Sequence, residues 1–223
     1  METETLWDWN YVAEILPILA GAAIVTIEAT LLGFLVAAVL GLVLAVLRFA
    51  VPSVSWPIAA LVEFIRSTPL LIQIFFLFFV LPEFGIVLDA FTAGVLALGL
   101  HYGAYCSEVY RSGLEAVPRG QWEAAIALNL DQTTTFRDII LPQALPPIVP
   151  ALGNYLVALF KETPLLSAIA VLELMQTAKI LGSETFRYNE PITLVGLFFL
   201  AMSLVSAAGI RSLERLLNRR TAR

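Results

Sequence analysis

The sequence predicts an all-α integral membrane protein: five transmembrane helices and one polar helical hairpin on the cytoplasmic side, with the N-terminus out and the C-terminus in. Three observations carry this. Hydrophobic residues make up 59% of the 223 and charged residues only 14%, with a mean hydropathy of +0.86, a balance that soluble domains do not have. Apolar stretches of spanning length recur at about 18–47, 57–81, 91–110, 148–170 and 192–210. Finally, Arg48, Arg111, Arg119, Arg137 and the C-terminal arginines fall at one end of these stretches, with only Lys179 and Arg187 at the other. The positive-inside rule then sets the orientation.

The chain reads as one membrane domain, 1–223. Its lone Cys106 excludes an intramolecular disulfide. The acidic N-terminus lacks the basic start of an ordinary signal peptide. With no GxxxxGK[ST] phosphate loop anywhere, any ATP-driven work requires a separate subunit. Neither a second histidine nor a second cysteine is available to complete a metal site around His101.

Taken in order, Ile18 to Leu47 carries Glu28 as its one charge and would be about 45 Å long as a helix, more than the roughly 30 Å hydrocarbon core. Trp7, Trp9 and Tyr11 before it suit an interfacial aromatic belt. Glu28 lies a third of the way in, which favours a packing or interface-reaching role. The second stretch opens at Trp56-Pro57, with proline at a first-turn position, and contains Arg66-Ser67-Thr68-Pro69. The third holds His101, Tyr102, Tyr105 and Glu108, while Gly99, Gly103 and Ala104 permit close helix approach. Glu108 and Arg111, three apart, suit an intrahelical pair.

The interval 119–142 is polar and structured. Glu123 to Leu128 is an Ala-rich run of helix formers, Asn129 stands where a left-handed C-terminal residue is needed, and Asp131 is placed to cap Gln132 to Ile140. Leu141-Pro142 is expected to end that helix, and Pro146, Pro147 and Pro150 to delay the next until about Ile148. After the fourth stretch, Val171 to Leu181 reads as a short helix stopped by Gly182. The fifth stretch continues into an amphipathic tail through Leu213, Leu216 and Leu217.

Two segments repeat one another: RSTPLL at Arg66 to Leu71 and KETPLL at Lys161 to Leu166. In a helix, Pro69 cannot donate to the Ile65 carbonyl, nor Pro164 to that of Phe160. Both helices are expected to break there, and such breaks are tolerated where they face protein or water. Lys161 and Glu162 fall near mid-membrane, about 16 Å above Pro150. They could bracket a zwitterion or could pair with other protein charges. Arg66 could line the same cavity or reach the cytoplasmic surface. Thr68, Thr163, His101 and Tyr105 complete the candidate pathway.

Glu123-Ala124-Ala125, the turn at Asn129, and Ile139, Leu141 and Pro142 resemble the EAA loop of ABC-transporter permeases, where the usual turn residue is Gly. RSTPLLIQIFF and LPQALPPIVPALGNYLVALFKETPLLSAIAVLEL extend the likeness to the polar amino-acid uptake branch, and LGLHYGAY with ILGSETFRYNEP is most similar to ectoine/hydroxyectoine permease subunits. The resemblance implies a type I importer fold and import of a small polar or zwitterionic solute. Ectoine or hydroxyectoine is its first candidate, and a polar amino acid of glutamine, arginine or histidine type is the alternative. It further implies a coupling helix, with Trp122 at its start, docked on an ABC ATPase dimer that binds the ATP and Mg, and no cofactor on this chain. A second permease subunit, identical or paralogous, and a periplasmic or lipid-anchored solute-binding protein complete the assembly in the inner membrane, with no nucleic acid. A passive channel or an intramembrane enzyme remains a remote alternative, the latter disfavoured because His101 and Ser107, six apart, lie on different helix faces.

Overall fold

The computed structural model describes residues 7–221, with side chains described as far as Arg215; Leu216 and Leu217 lie outside the described side chains. The described part is entirely helical. Asp8 caps α1 (Trp9–Ala50), its carboxylate accepting the amides of Asn10 at 2.9 Å and Tyr11 at 3.4 Å. Pro52 keeps Val51 out of the helical region, at φ −127° and ψ 90°, and the helix ends there. The chain restarts as α2 (Pro52–Arg66), turns by 101° at Ser67-Thr68-Pro69, and continues as α3 (Leu70–Phe75), which widens and then tightens through Phe84. The interval 57–81, expected as one span with a local defect, is therefore two helices at a right angle.

Helix α4 (Ala90–Glu115) is the central post, packed along α1. Glycine makes that approach possible. A Cβ on Gly41 would lie 2.6 Å from the Cβ of Cys106 and 2.9 Å from the Gly103 carbonyl, and one on Gly99 would lie 2.4 Å from Val36. Ala37, Leu98, Cys106, Leu159 and Leu166 are fully buried where α1 and α4 meet α7 (Leu141–Glu162).

Leu141-Pro142 does not stop a helix. Gln132 to Ile169 runs as one 38-residue helical stretch: a short α6 (Gln132–Thr134), a wide π segment Thr135–Ile140, α7, and a tight final segment Thr163–Ile169. The four prolines ride inside it because Ile140, Ala144 and Ile148, spaced by four, bury one face against Val117 and α4. The side-chain amide of Gln143 also donates to the Ile139 carbonyl at 2.7 Å. Burial outweighs the lost backbone bonds.

Helix α8 (Leu174–Thr185) also outlasts its predicted stop. Gly182 lies within it and receives the Tyr188 ring, and the helix ends at Phe186, at φ 55°. The Tyr11 hydroxyl donates to the Leu181 carbonyl at 3.2 Å and meets Thr185 at 2.9 Å. Nearby, buried Glu190 accepts the Asp8 amide at 3.0 Å and pairs with Arg187, tying the start of α1 to that of α9 (Asn189–Thr221). Glu28 is exposed.

Among the described residues, three helical stretches are long and apolar enough to cross a membrane, Trp9–Ala50, Gln132–Ile169 and Asn189–Arg215, and the bent pair Pro52–Arg66 with Leu70–Phe84 makes a fourth if it counts as one span.

Candidate functional site: two threonine–proline breaks, an aromatic cluster and a helical hairpin

Each proline frees a carbonyl, and in each repeat the preceding threonine takes it. Thr68 Oγ1 donates to the Ile65 carbonyl at 3.0 Å and Thr163 Oγ1 to that of Phe160 at 2.8 Å. In both breaks a threonine hydroxyl takes the carbonyl that proline cannot serve, although the Ile65 carbonyl also accepts the Thr68 amide at 3.3 Å. They differ in backup. The Gln73 side-chain amide also reaches the Ile65 carbonyl at 2.8 Å and Thr68 Oγ1 at 2.6 Å, whereas Thr163 is fully buried and is the only side chain with a hydrogen bond to the Phe160 carbonyl among the described residues.

Gln73 then links the first break to α4, since its oxygen lies 3.2 Å from His101 Nδ1. His101, 8% exposed, packs on Tyr102 and Tyr105 at 5.5 and 5.3 Å between ring centres, and Tyr155 of α7 closes the cluster at 5.8 Å from Tyr102 and 5.6 Å from Tyr105. The Arg66 guanidinium sits 5.1 Å over the Tyr105 ring and pairs loosely with Glu63 at 3.5 Å.

Glu162 is the odd member. Its carboxyl interacts with the Tyr102 hydroxyl, while its Oε2 is buried with no direct hydrogen-bond partner among the described residues, an arrangement that a further donor or cation would relieve. Lys161 is exposed, without a hydrogen bond or ion pair among the described residues. Adjacent helical residues point about 100° apart, so the two do not form one pair. Contacts thus link Thr68, through Gln73, to His101 and Tyr105, with Arg66 over the Tyr105 ring and Glu162 reached through Tyr102; Thr163 is buried one residue beyond Glu162, and Lys161 is exposed. Gln73 and Tyr155 were missed. A lone amide in the apolar run LLIQIFF, and a tyrosine seven residues before Glu162, hence on the same helix face, were the available signals.

At the other end stands the hairpin. Helix α5 (Arg119–Ala127) closes in a Schellman motif, with the amides of Asn129 and Leu130 donating to the carbonyls of Ile126 at 2.9 Å and Ala125 at 3.0 Å. Asn129 takes φ 54°, the left-handed turn its position required. Asp131 caps the next turn by accepting the Thr134 amide at 2.7 Å, and the Thr134 bonds hold its carboxyl below the ordinary range. Ala125 is buried, Trp122 half-buried 6.1 Å from Phe49, and Ile139 and Leu141 half-buried at the hairpin base; Glu123, Ala124 and Pro142 are exposed. The tip also exposes Ile126 (77%) and Leu128 (71%), an apolar surface the sequence reading did not single out.

A family model described as "Binding-protein-dependent transport system inner membrane component" matches residues 33–223. The chain belongs to this family. The permease is 50% identical over 205 residues to the probable amino-acid ABC transporter permease protein y4tG of Sinorhizobium fredii, covering 92% of this chain and 89% of that one. It is 36% identical to the L-cystine transport system permease protein TcyB of Bacillus subtilis, over 89% and 88% of the two chains. Among solved structures, that of an amino acid ABC transporter with histidines superposes with a TM-score of 0.88 at 33% identity, covering 94% of the permease and 98% of that chain. An inward-facing MetNI methionine ABC transporter shares the fold, with a TM-score of 0.78 at 19% identity over 92% and 98% of the chains. The permease is therefore a multi-pass inner-membrane transport component of the polar amino-acid type, not an enzyme.

Proposed function

We propose that the permease passes a polar amino acid between the proline-broken α2–α3 element and α7, as one of two permease subunits driven by an ATPase dimer gripping the hairpin. A solute-binding protein delivers the substrate to the outer mouth, and ATP and Mg stay on the ATPase. The chain crosses five times, N-terminus out, with the bent α2–α3 pair as one crossing and α4, about 39 Å long, as another.

The observation that carries this reading is Glu162. A carboxylate oxygen with no direct hydrogen-bond partner among the described residues, on a carboxyl that meets Tyr102, whose ring packs on Tyr105 and Tyr155, is complementary to an ammonium group, and nearby aromatic faces add to the attraction for a cation. Arg66, over the Tyr105 ring, provides the fork for a carboxylate. The hydroxyls of Thr68 and Thr163 and the imidazole of His101 are engaged by protein groups, so they shape the walls. Lys161 lines the side of the pathway. The hairpin engages the ATPase through Trp122, Glu123 and Ala124 together with Ile126 and Leu128, while Ala125, Asn129, Ile139, Leu141 and Pro142 hold its shape.

The relatives named above are amino-acid permeases. Ectoine, read from local sequence likeness, has no counterpart there and gives way to an amino acid as the substrate. The test is the complete complex in liposomes with its binding protein, assayed for ATP hydrolysis and uptake across polar amino acids and ectoine. An amino acid should stimulate hydrolysis and ectoine should not. Glu162→Gln should cut uptake about tenfold or more, the cost of removing the charged partner of a buried ammonium, with assembly intact. Wild-type uptake by Glu162→Gln would remove the site, and stimulation by ectoine alone would remove the substrate class.

A further inference from the structure

Two cavities meet behind the hairpin, where α1, α4 and α5 converge. One, of about 650 Å³, is polar and lined by Arg48, Arg111, Arg119 and Glu115. The other, of about 840 Å³, is mainly apolar and lined by Val46, Leu114, Ile126, Leu130 and Phe136. Phe49, Leu114 and Trp122 line both, so the two adjoin as a groove with a charged head and an apolar trough.

The head has more positive than negative charge. Glu108 is shared by Arg48 and Arg111, and Arg111 also holds Glu115 at 2.6 Å. That leaves Arg119 without a hydrogen bond or ion pair among the described residues, and the Arg48 Nε buried with no partner. Helix α5 starts at Arg119 with no side-chain cap, which brings the positive end of its dipole to the same place. The trough, in turn, does not open only toward water. Val39, Leu42, Val43 and Val46 are all exposed along α1 and carry its apolar surface from the bundle centre into the groove.

We propose that the groove holds an anionic phospholipid of the adjoining leaflet, its phosphate against Arg48 and Arg119 and one acyl chain along Phe49, Trp122 and Phe136. A partner docking from water would suit the charged head but not a trough that continues down a membrane helix, and the charge of the head selects an anionic lipid over a zwitterionic one. The lipid would brace α5 against α1 through the Trp122–Phe49 contact, giving the hairpin a lipid-dependent support. The inference rests on these cavities and does not need the substrate reading.

The test uses the permease assembled with its ATPase, stripped of lipid in detergent and then offered phosphatidylglycerol or phosphatidylcholine. Native mass spectrometry reads lipid retention, and brominated acyl chains read proximity through quenching of Trp122, taken as the difference between wild type and Trp122→Phe. Phosphatidylglycerol should be retained in preference and should quench Trp122, and Arg119→Gln, at an exposed and unpaired position, should weaken both about fivefold. Equal retention of the two lipids, or no effect of Arg119→Gln, would overturn the proposal. So would quenching in the isolated permease that vanishes when the ATPase is bound, which would give the groove to the protein partner.

Discussion

Replacing Thr163 by valine removes one hydroxyl and keeps the shape of a fully buried side chain. The Phe160 carbonyl, which Pro164 cannot serve, then loses the Thr163 bond at 2.8 Å. A buried acceptor left unsatisfied costs about 1–3 kcal/mol, and for a chain of this size each kcal/mol moves the unfolding midpoint by roughly 2–4 °C. Thr68→Val should cost less, because Gln73 keeps its own 2.8 Å bond to the Ile65 carbonyl. The sharper experiment is a double-mutant cycle with Pro164→Ala, which restores an amide four residues after Phe160. In that background Thr163→Val should lose most of its effect, a coupling of about 1 kcal/mol or more. Apparent melting temperatures of the purified complex for wild type, both single variants and the double would measure it. Additive effects, or a Thr68→Val as damaging as Thr163→Val, would refute the account of the breaks.

Other consequences follow from the same geometry. Gly99→Leu drives a side chain into Val36, which a bare Cβ would already meet at 2.4 Å; the α1–α4 contact should open, with a loss of about 1–3 kcal/mol seen as reduced yield of assembled complex. Asn129→Gly should leave ATPase binding unchanged, whereas Asn129→Val, forced to φ 54°, should cost about 1–2 kcal/mol and weaken complex formation in a pull-down with the ATPase. The Asp131 carboxyl is held low by its Thr134 bonds, so the capping it gives is complete at neutral pH and fades as pH falls through the lowered value. Amide exchange at Thr134, corrected for its intrinsic rate, should be protected at pH 7, and that protection should decline in acid. Asp131→Asn, which keeps an acceptor oxygen but no titrating group, should remove most of the pH dependence.

Charge placement and hydropathy made the membrane character legible, and short-range rules made the hairpin legible. Asn129 and Asp131 act within four residues of themselves, so nothing distant could override them. The threonine–proline breaks were readable for the same reason: a proline removes a bond at a fixed offset whatever surrounds it. The prolines from Pro142 to Pro150 misled because helix propensity is a local cost of a few kcal/mol, which the burial of Ile140, Ala144 and Ile148 exceeded. Gly182 misled likewise, since its place is set by the Tyr188 ring.

What the sequence determined alone is therefore whatever depends on neighbours along the chain: the apolar stretches, the turn at Asn129, the freed carbonyls of Ile65 and Phe160. Only the tertiary structure decided which side chains share a space. It swung α3 through a right angle so that Gln73 met His101, and brought Tyr155 across to α4. It also brought the Glu162 carboxyl to Tyr102 while leaving Lys161 exposed. Residues adjacent in sequence diverge by about 100° around a helix axis, so proximity along the chain could not say which of the two faces the cluster.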